Sequence, residues 1–176
     1  MINSDSRYSK WAVGLLAAVV LQGVVLVGMV VKAALPLWTG TPVKVATVPV
    51  DPRSWFRGNY ARLNYGFERI PAGDLPFGTS LRIGEVVYVR LVPGSDGLYE
   101  YGGASLTQPE NGVFLRGRLT DDGPPYRVNF GIDAYFAPKE RALQLERELR
   151  NGGVAVLMVT DSGRVALKAV EANREG

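Results

Sequence analysis

The sequence contains no cysteine and no histidine. Without cysteine there is no disulfide framework, no thiolate nucleophile and no cysteine-based zinc site. Without histidine the commonest general base and metal ligand is missing as well. The two gaps remove Ser-His-Asp and Cys-His catalysis and most zinc chemistry, so no catalytic residue, metal ligand or cofactor is assigned. Charge is modest too: 21% of the 176 residues are charged, and they are scattered rather than run together, unlike the blocks of a disordered tail. The formal net charge is +3. Arg7, Lys10, Lys32 and Asp5 all flank one apolar block, and the rest of the chain is close to neutral. Nucleic-acid binding calls for a concentrated basic face. None is visible, and no nucleic-acid partner is expected.

What the chain does have is a long apolar run. Trp11 to Val31 has Gln22 as its one polar side chain. At 1.5 Å per residue it spans roughly 30 Å, the thickness of a bilayer hydrocarbon core. Trp11 and Trp38 suit the two interfaces, and the basic residues before the run favour a cytoplasmic N-terminus with the body of the chain outside. The competing reading is a cleaved signal peptide at Val31-Lys32-Ala33, but the run exceeds a signal core and a lysine in the cleavage site is unfavourable. Gln22 can hydrogen-bond a partner helix, and Gly14, Gly23 and Gly28 are small contact points. Leu35 to Gly40 reads as the helix stop. The expectation is a single-pass inner-membrane protein: residues 1–10 a cytoplasmic tail, 11–38 the anchor and its stop, and 43–176 an extracytoplasmic, periplasmic domain.

That outer domain reads as strands. Val43–Val50, Asn59–Glu68, Glu85–Val92, Leu98–Tyr101, Val113–Thr120, Tyr126–Asp133, Val154–Val159 and Arg164–Val170 alternate or are rich in β-formers. Turn-forming runs separate several of them: Gly94-Ser95-Asp96-Gly97, Asp121 to Pro125 and Asp161-Ser162-Gly163. Ile70 to Thr79 reads as a loop. Pro138 opens one short helix, about 139–151, with Gly152 placed to cap it and Ala142, Leu145 and Leu149 facing a sheet. The fold class predicted is mainly β: an antiparallel barrel or sandwich of about seven strands with one short helix, behind one transmembrane helix.

One stretch is more particular. Gly58-Asn59-Tyr60-Ala61-Arg62-Leu63-Asn64-Tyr65 resembles the signature of the GDYxxLxY family of bacterial membrane-anchored proteins. Similar segments follow in order: Gly84 to Val89, Phe114 to Arg118, and Gly131-Ile132-Asp133-Ala134-Tyr135-Phe136. Asn59 stands where the family name has Asp, so a role requiring a carboxylate there does not carry over. The resemblance implies an N-terminal anchor, a β-rich outer domain and no assigned enzymatic activity. Because members tend to be encoded beside a multi-spanning membrane protein, it also implies a membrane partner.

Read physically, Gly58 and Asn59 permit the backbone angles that start a strand, and Leu63 and Tyr65 belong to its buried side. The functional reading gathers Arg57, Asn59, Tyr60, Arg62, Tyr99 and Tyr101 into a recognition surface, since Arg and Tyr are favoured at binding hot spots. Arg57-Gly58-Asn59-Tyr60 is also similar to a strand of signal peptidase I. That enzyme needs a Ser beside a buried Lys, and Lys44, Lys139 and Lys168 offer no such pair. Asp51, Glu68, Glu85, Asp121, Asp122 and Asp133 are available as paired carboxylates for a hydrolase. Asp133 is the best candidate for partial burial, facing an Arg. The expected function is a non-enzymatic accessory or binding subunit that contacts the bilayer and another integral membrane protein. The alternatives are a carboxylate-based cell-envelope hydrolase and a small-ligand-binding barrel.

Overall fold

A computed structural model describes residues 5–48, 60–75, 81–136 and 152–172. From the N-terminus the elements are α1 (Asp5–Thr39), β1 (Thr41–Val48), β2 (Tyr60–Arg62), β3 (Asn64–Tyr65), a 3-10 turn (Gly66–Glu68), β4 (Arg69–Ile70), β5 (Val86–Pro93), β6 (Tyr99–Ser105), β7 (Val113–Leu119), β8 (Tyr126–Asn129), β9 (Ala134–Phe136), β10 (Gly153–Val159) and β11 (Val165–Ala172). The helix expected over 139–151 lies outside the described residues.

The apolar run forms one helix long and apolar enough to cross a membrane, Lys10–Thr39. It continues through Pro36 and stops at Thr39, where the Thr39 hydroxyl donates to Leu35 O at 3.0 Å and Gly40 N donates to Pro36 O at 2.9 Å. These bonds satisfy carbonyls that a helix end would leave open. One residue, Gly40, then separates the helix from β1. A Cβ there would lie 2.5 Å from Pro36 O and 2.9 Å from the backbone of Met158 and Val159. Only glycine fits, because the end of the helix is packed directly on β10. The last turns of α1 also touch β11, and Pro36 is buried by this packing.

The strands form one open mixed sheet of nine, in the order β11-β10-β1-β6-β5-β7-β8-β4 with β3 also on β1, and a separate pair, β2 with β9. Among the described residues there are eleven strands, more than the seven or so expected: two of the predicted strands are broken, and Arg69–Ile70 pairs with β8 as β4 where the expected loop begins. Asn59–Glu68 reads as one alternating strand, yet it changes partner at Leu63: β2 pairs with β9, and β3 pairs with β1. Tyr126–Asp133 likewise ends early as β8, and β9 begins afterwards on the other sheet.

Of the expected antiparallel barrel or sandwich, the mainly β architecture holds, but the sheet is open and mixed and does not close into a barrel. β1 meets β6 in parallel through a single pair, Val45 with Tyr99. On the far side of the sheet the gap is crossed by one backbone bond, Arg116 N to Gly163 O at 2.7 Å. A barrel needs a continuous ladder at its seam; one bond holds the ends near each other but leaves the sheet open.

Alternation places the core. Val43, Val45 and Thr47 of β1, Val87, Val89 and Leu91 of β5, and Leu119 of β7 are buried while their neighbours are not, and Leu115 of β7 is buried beside a buried Phe114. Thr47 is polar but satisfied: its hydroxyl donates to Gly153 O at 3.0 Å and accepts from Gly153 N at 2.9 Å. β10 departs from alternation, since Val156 and Met158 are buried along with Ala155, Leu157 and Val159. A strand covered on both faces reads as a continuous apolar run, as Val154 to Val159 does. The interior holds the packed side chains of these strands together with Leu63, Tyr65, Phe67 and Ile70.

Candidate functional site: two clefts beside the motif strand

The motif strand is tied to the Gly131–Phe136 segment at every described step. β2 pairs antiparallel with β9, Tyr60 opposite Phe136, Ala61 opposite Tyr135 and Arg62 opposite Ala134. Leu63 N then donates to Asp133 O at 2.9 Å, and the Tyr65 hydroxyl donates to Ile132 O at 3.2 Å. Leu63, Tyr65 and Phe67 are buried, Asn64 is half-buried and Gly66 exposed. The two-residue period therefore survives the break in the strand. Tyr65 stacks on Phe67 at 5.1 Å, and Phe67 meets Phe130 edge-on at 5.6 Å. Burial pushes the Tyr65 phenol well above its ordinary range, helped by the negative charges of Glu68 and Asp133 nearby.

Asn64 opens onto a cleft of about 330 Å³ that also takes in Glu68, Asp121, Arg127, Asn129 and Asp133. Three of the acidic residues singled out in the sequence thus share one site. Its charge is partly balanced, for Arg127 Nε lies 4.0 Å from Asp121 Oδ2. Asp133 is half-buried as expected but forms no ion pair with an arginine among the described residues. The reason is geometric: Arg127 turns to the Asp121 side of the cleft. No three acidic groups among the described residues converge closely enough to hold a metal ion.

On the other side of Asn129 and Phe130 lies a second cleft of about 330 Å³, lined by Arg116, Arg118, Gly131 and Arg164. Arg118 Nη1 donates to Gly84 O at 2.7 Å. The side chains of Arg116 and Arg164 are exposed and have no hydrogen-bond or ion-pair partner among the described residues. Charge pattern along the sequence does not reveal this cluster, because Arg116 and Arg118 come from β7 and Arg164 from the distant β10–β11 turn.

The predicted recognition residues are distributed. Arg57, Gly58 and Asn59 lie outside the described residues, as do Asp51 and the turn around it. Tyr60 and Arg62 sit on β2 of the small sheet, whereas Tyr99 and Tyr101 sit on β6 of the large one. Both tyrosines of β6 are half-buried against the core. The Tyr101 hydroxyl donates to the Asp74 carboxylate, and burial together with that bond pushes its pKa upward. Tyr99 lines a broad open groove of about 680 Å³ with Arg90, Val92 and Glu110. Along α1, Trp11, Gln22 and Trp38 are exposed, and Gly14, Gly23 and Gly28 have open space around them. At about 100° per residue Gly14 and Gly28 fall on the same side of the helix and Gly23 on the opposite side, so the three do not form a single small-residue stripe.

A mainly β body joined without a linker to an apolar N-terminal helix of membrane-crossing length is the class of protein that this architecture defines. The chain belongs to the GDYXXLXY family, which it matches over residues 22–170, from the middle of α1 to β11. No curated protein and no solved structure matches the chain.

Proposed function

We propose that the protein is a membrane-anchored, non-enzymatic binding subunit whose partner is another integral membrane protein. In this reading α1 stays in the inner membrane with its N-terminus in the cytoplasm, and the β-domain stands outside. The observation that carries it is the state of α1. From Lys10 to Ala33 the helix is exposed throughout, and the Gln22 side chain sits mid-span with no described residue from outside α1 covering it. An amide facing hydrocarbon is costly, and pairing with a second helix removes that cost. The direct junction at Gly40 supports the same reading, because a partner gripping α1 also sets the orientation of the sheet. Arg57, Asn59, Tyr60 and Arg62 are the residues of the outer domain assigned to the partner, with Tyr99 contributing through its groove.

A second reading is favoured by one observation, the gathering of Glu68, Asp121 and Asp133 in the cleft beside Asn64. A hydrolase working through two carboxylates needs such a cleft, with the pair held at a separation of about 5–10 Å. The ion pair of Asp121 with Arg127 speaks for a structural role instead.

Mild-detergent affinity purification of the tagged full-length protein separates the two readings, with the domain lacking α1 as control. The binding reading predicts a stoichiometric multi-spanning partner that is lost from the control and weakened by Gln22→Leu. Absence of any partner above background contradicts it and directs attention to Glu68→Gln and Asp133→Asn variants assayed on envelope substrates.

A further inference from the structure

The basic cleft lies at the end of the β10–β11 hairpin, and that end is packed on the helix. Thr41, the first strand residue after the helix, pairs with Val159 of β10, and Val159 pairs with Val165 of β11. The turn between them, Thr160 to Arg164, is closed by Thr160 N to Arg164 O at 2.9 Å and Gly163 N to Thr160 O at 2.8 Å. The hairpin tip is therefore the part of the outer domain beside the last turns of α1. Gly163 then accepts from Arg116 N, which brings the middle of β7 to the same place. Gly163 has φ +74°, and a Cβ there would lie 2.7 Å from the Phe114 ring. The conformation and the close approach both demand glycine.

The helix geometry sets the height of this tip. The hydrophobic run ends at Val31, and Lys32 to Thr39 adds about 12 Å of helix. The headgroup layer of one leaflet is roughly 5–8 Å thick. A hairpin tip packed back along those last turns stands at the level of the lipid phosphates. There it presents Arg116 and Arg164 unpaired, beside Arg118 held by Gly84 O, in a cleft with no acidic residue in its lining. Guanidinium groups bind phosphate oxygens through paired N–H donors, and basic residues close to a bilayer are drawn to anionic lipid.

We infer that the cleft formed by Arg116, Arg118 and Arg164 is a binding site for the phosphate of an anionic phospholipid headgroup, seating the outer domain on the membrane surface. The site is independent of any protein partner held through Gln22 or the motif strand, since it shares no residue with either. It also holds for either leaflet, because the ligand is a headgroup and not a topology signal.

The test uses full-length protein in mild detergent, titrated with short-chain phosphatidylglycerol, phosphatidylcholine or inorganic phosphate, with lipid retention read by native mass spectrometry. The site predicts retention of phosphatidylglycerol over phosphatidylcholine, and a loss of about thirtyfold in that retention in Arg116→Gln/Arg164→Gln. Both side chains are exposed and unpaired, so the variant keeps the backbone bond to Gly163 and an unchanged melting temperature. Lys32→Gln serves as the control for lipid held around the helix and leaves the preference in place. Equal retention of the two lipids, retention unaltered in the double variant, or saturation by inorganic phosphate without any lipid preference each overturns the assignment.

Discussion

On one side of Asn129 and Phe130 a cleft gathers Glu68, Asp121 and Asp133; on the other a cleft of the same volume gathers Arg116, Arg118 and Arg164. The first lies against the strand for which the family is named, and its charges meet an opposite charge in Arg127. The second lies against the β10–β11 hairpin, and two of its charges meet no partner among the described residues. Conserving a ligand-binding role for the motif does not follow from the first cleft. Leu63 and Tyr65 are spent on the core and on the Ile132–Asp133 backbone. The uncompensated charge lies elsewhere, next to the helix. Leu63 and Tyr65 of the motif are part of the core, whereas the side chains of Arg116 and Arg164 beside the hairpin are exposed.

Substitutions on the two sides sharpen the contrast. Leu63→Ala has the largest expected effect. The side chain is almost fully buried at the corner where β2 gives way to β3, and truncation there costs about 2–5 kcal/mol. Chemical denaturation of the outer domain measures it, and a loss below about 1 kcal/mol would remove the motif from the core. Gly163→Ala comes next, at about 2–4 kcal/mol, because it combines a left-handed backbone with a side chain forced into the Phe114 ring. It should also break the bond from Arg116 and lower anionic-lipid retention together with stability.

Tyr65→Phe is the mildest change, about 1 kcal/mol for one buried hydrogen bond. Its signature is in pH. Below about pH 10 the phenol keeps its proton in both the folded and the unfolded chain. Above that pH the unfolded chain loses a proton that the folded chain keeps, so stability falls as pH rises toward the raised value of the buried group. Tyr101 beside Asp74 acts in the same direction. Denaturation at pH 8 and pH 11 should therefore show a smaller alkaline loss in Tyr65→Phe than in the parent, and an equal loss would contradict the burial account.

Much of this was readable in the sequence. The helix of membrane-crossing length follows from Trp11 to Val31, whose hydropathy needs no tertiary context. The hairpins at Gly94–Gly97, Asp121–Pro125 and Asp161–Gly163 follow from turn chemistry, and each joins neighbouring strands of the sheet. The buried side of Leu63, Tyr65 and Phe67 follows from alternation. What alternation cannot carry is a change of partner: Asn59 to Glu68 keeps its period while passing from β9 to β1, so it looks like one strand. Sheet order is equally silent, because the parallel contact of Val45 with Tyr99 is a single non-local pair. Both clefts were hidden for the same reason. Arg116 and Arg164 are 48 positions apart in the chain and meet only through the Gly163 carbonyl.

The orientation of the hairpin toward the bilayer is the claim on which the account turns. The absence of cysteine makes it directly measurable, since a single introduced cysteine is the only labelling site. Ser162→Cys at the hairpin tip and Glu171→Cys at the other end of β11, both exposed, are separated by roughly 30 Å of extended strand. Each is labelled with a polarity-sensitive fluorophore, and the full-length protein is reconstituted into phosphatidylglycerol-containing vesicles with headgroup-attached quenchers. The account predicts strong quenching at position 162 and little at position 171. Equal quenching, or the reverse order, would mean that the arginine cleft does not face the membrane.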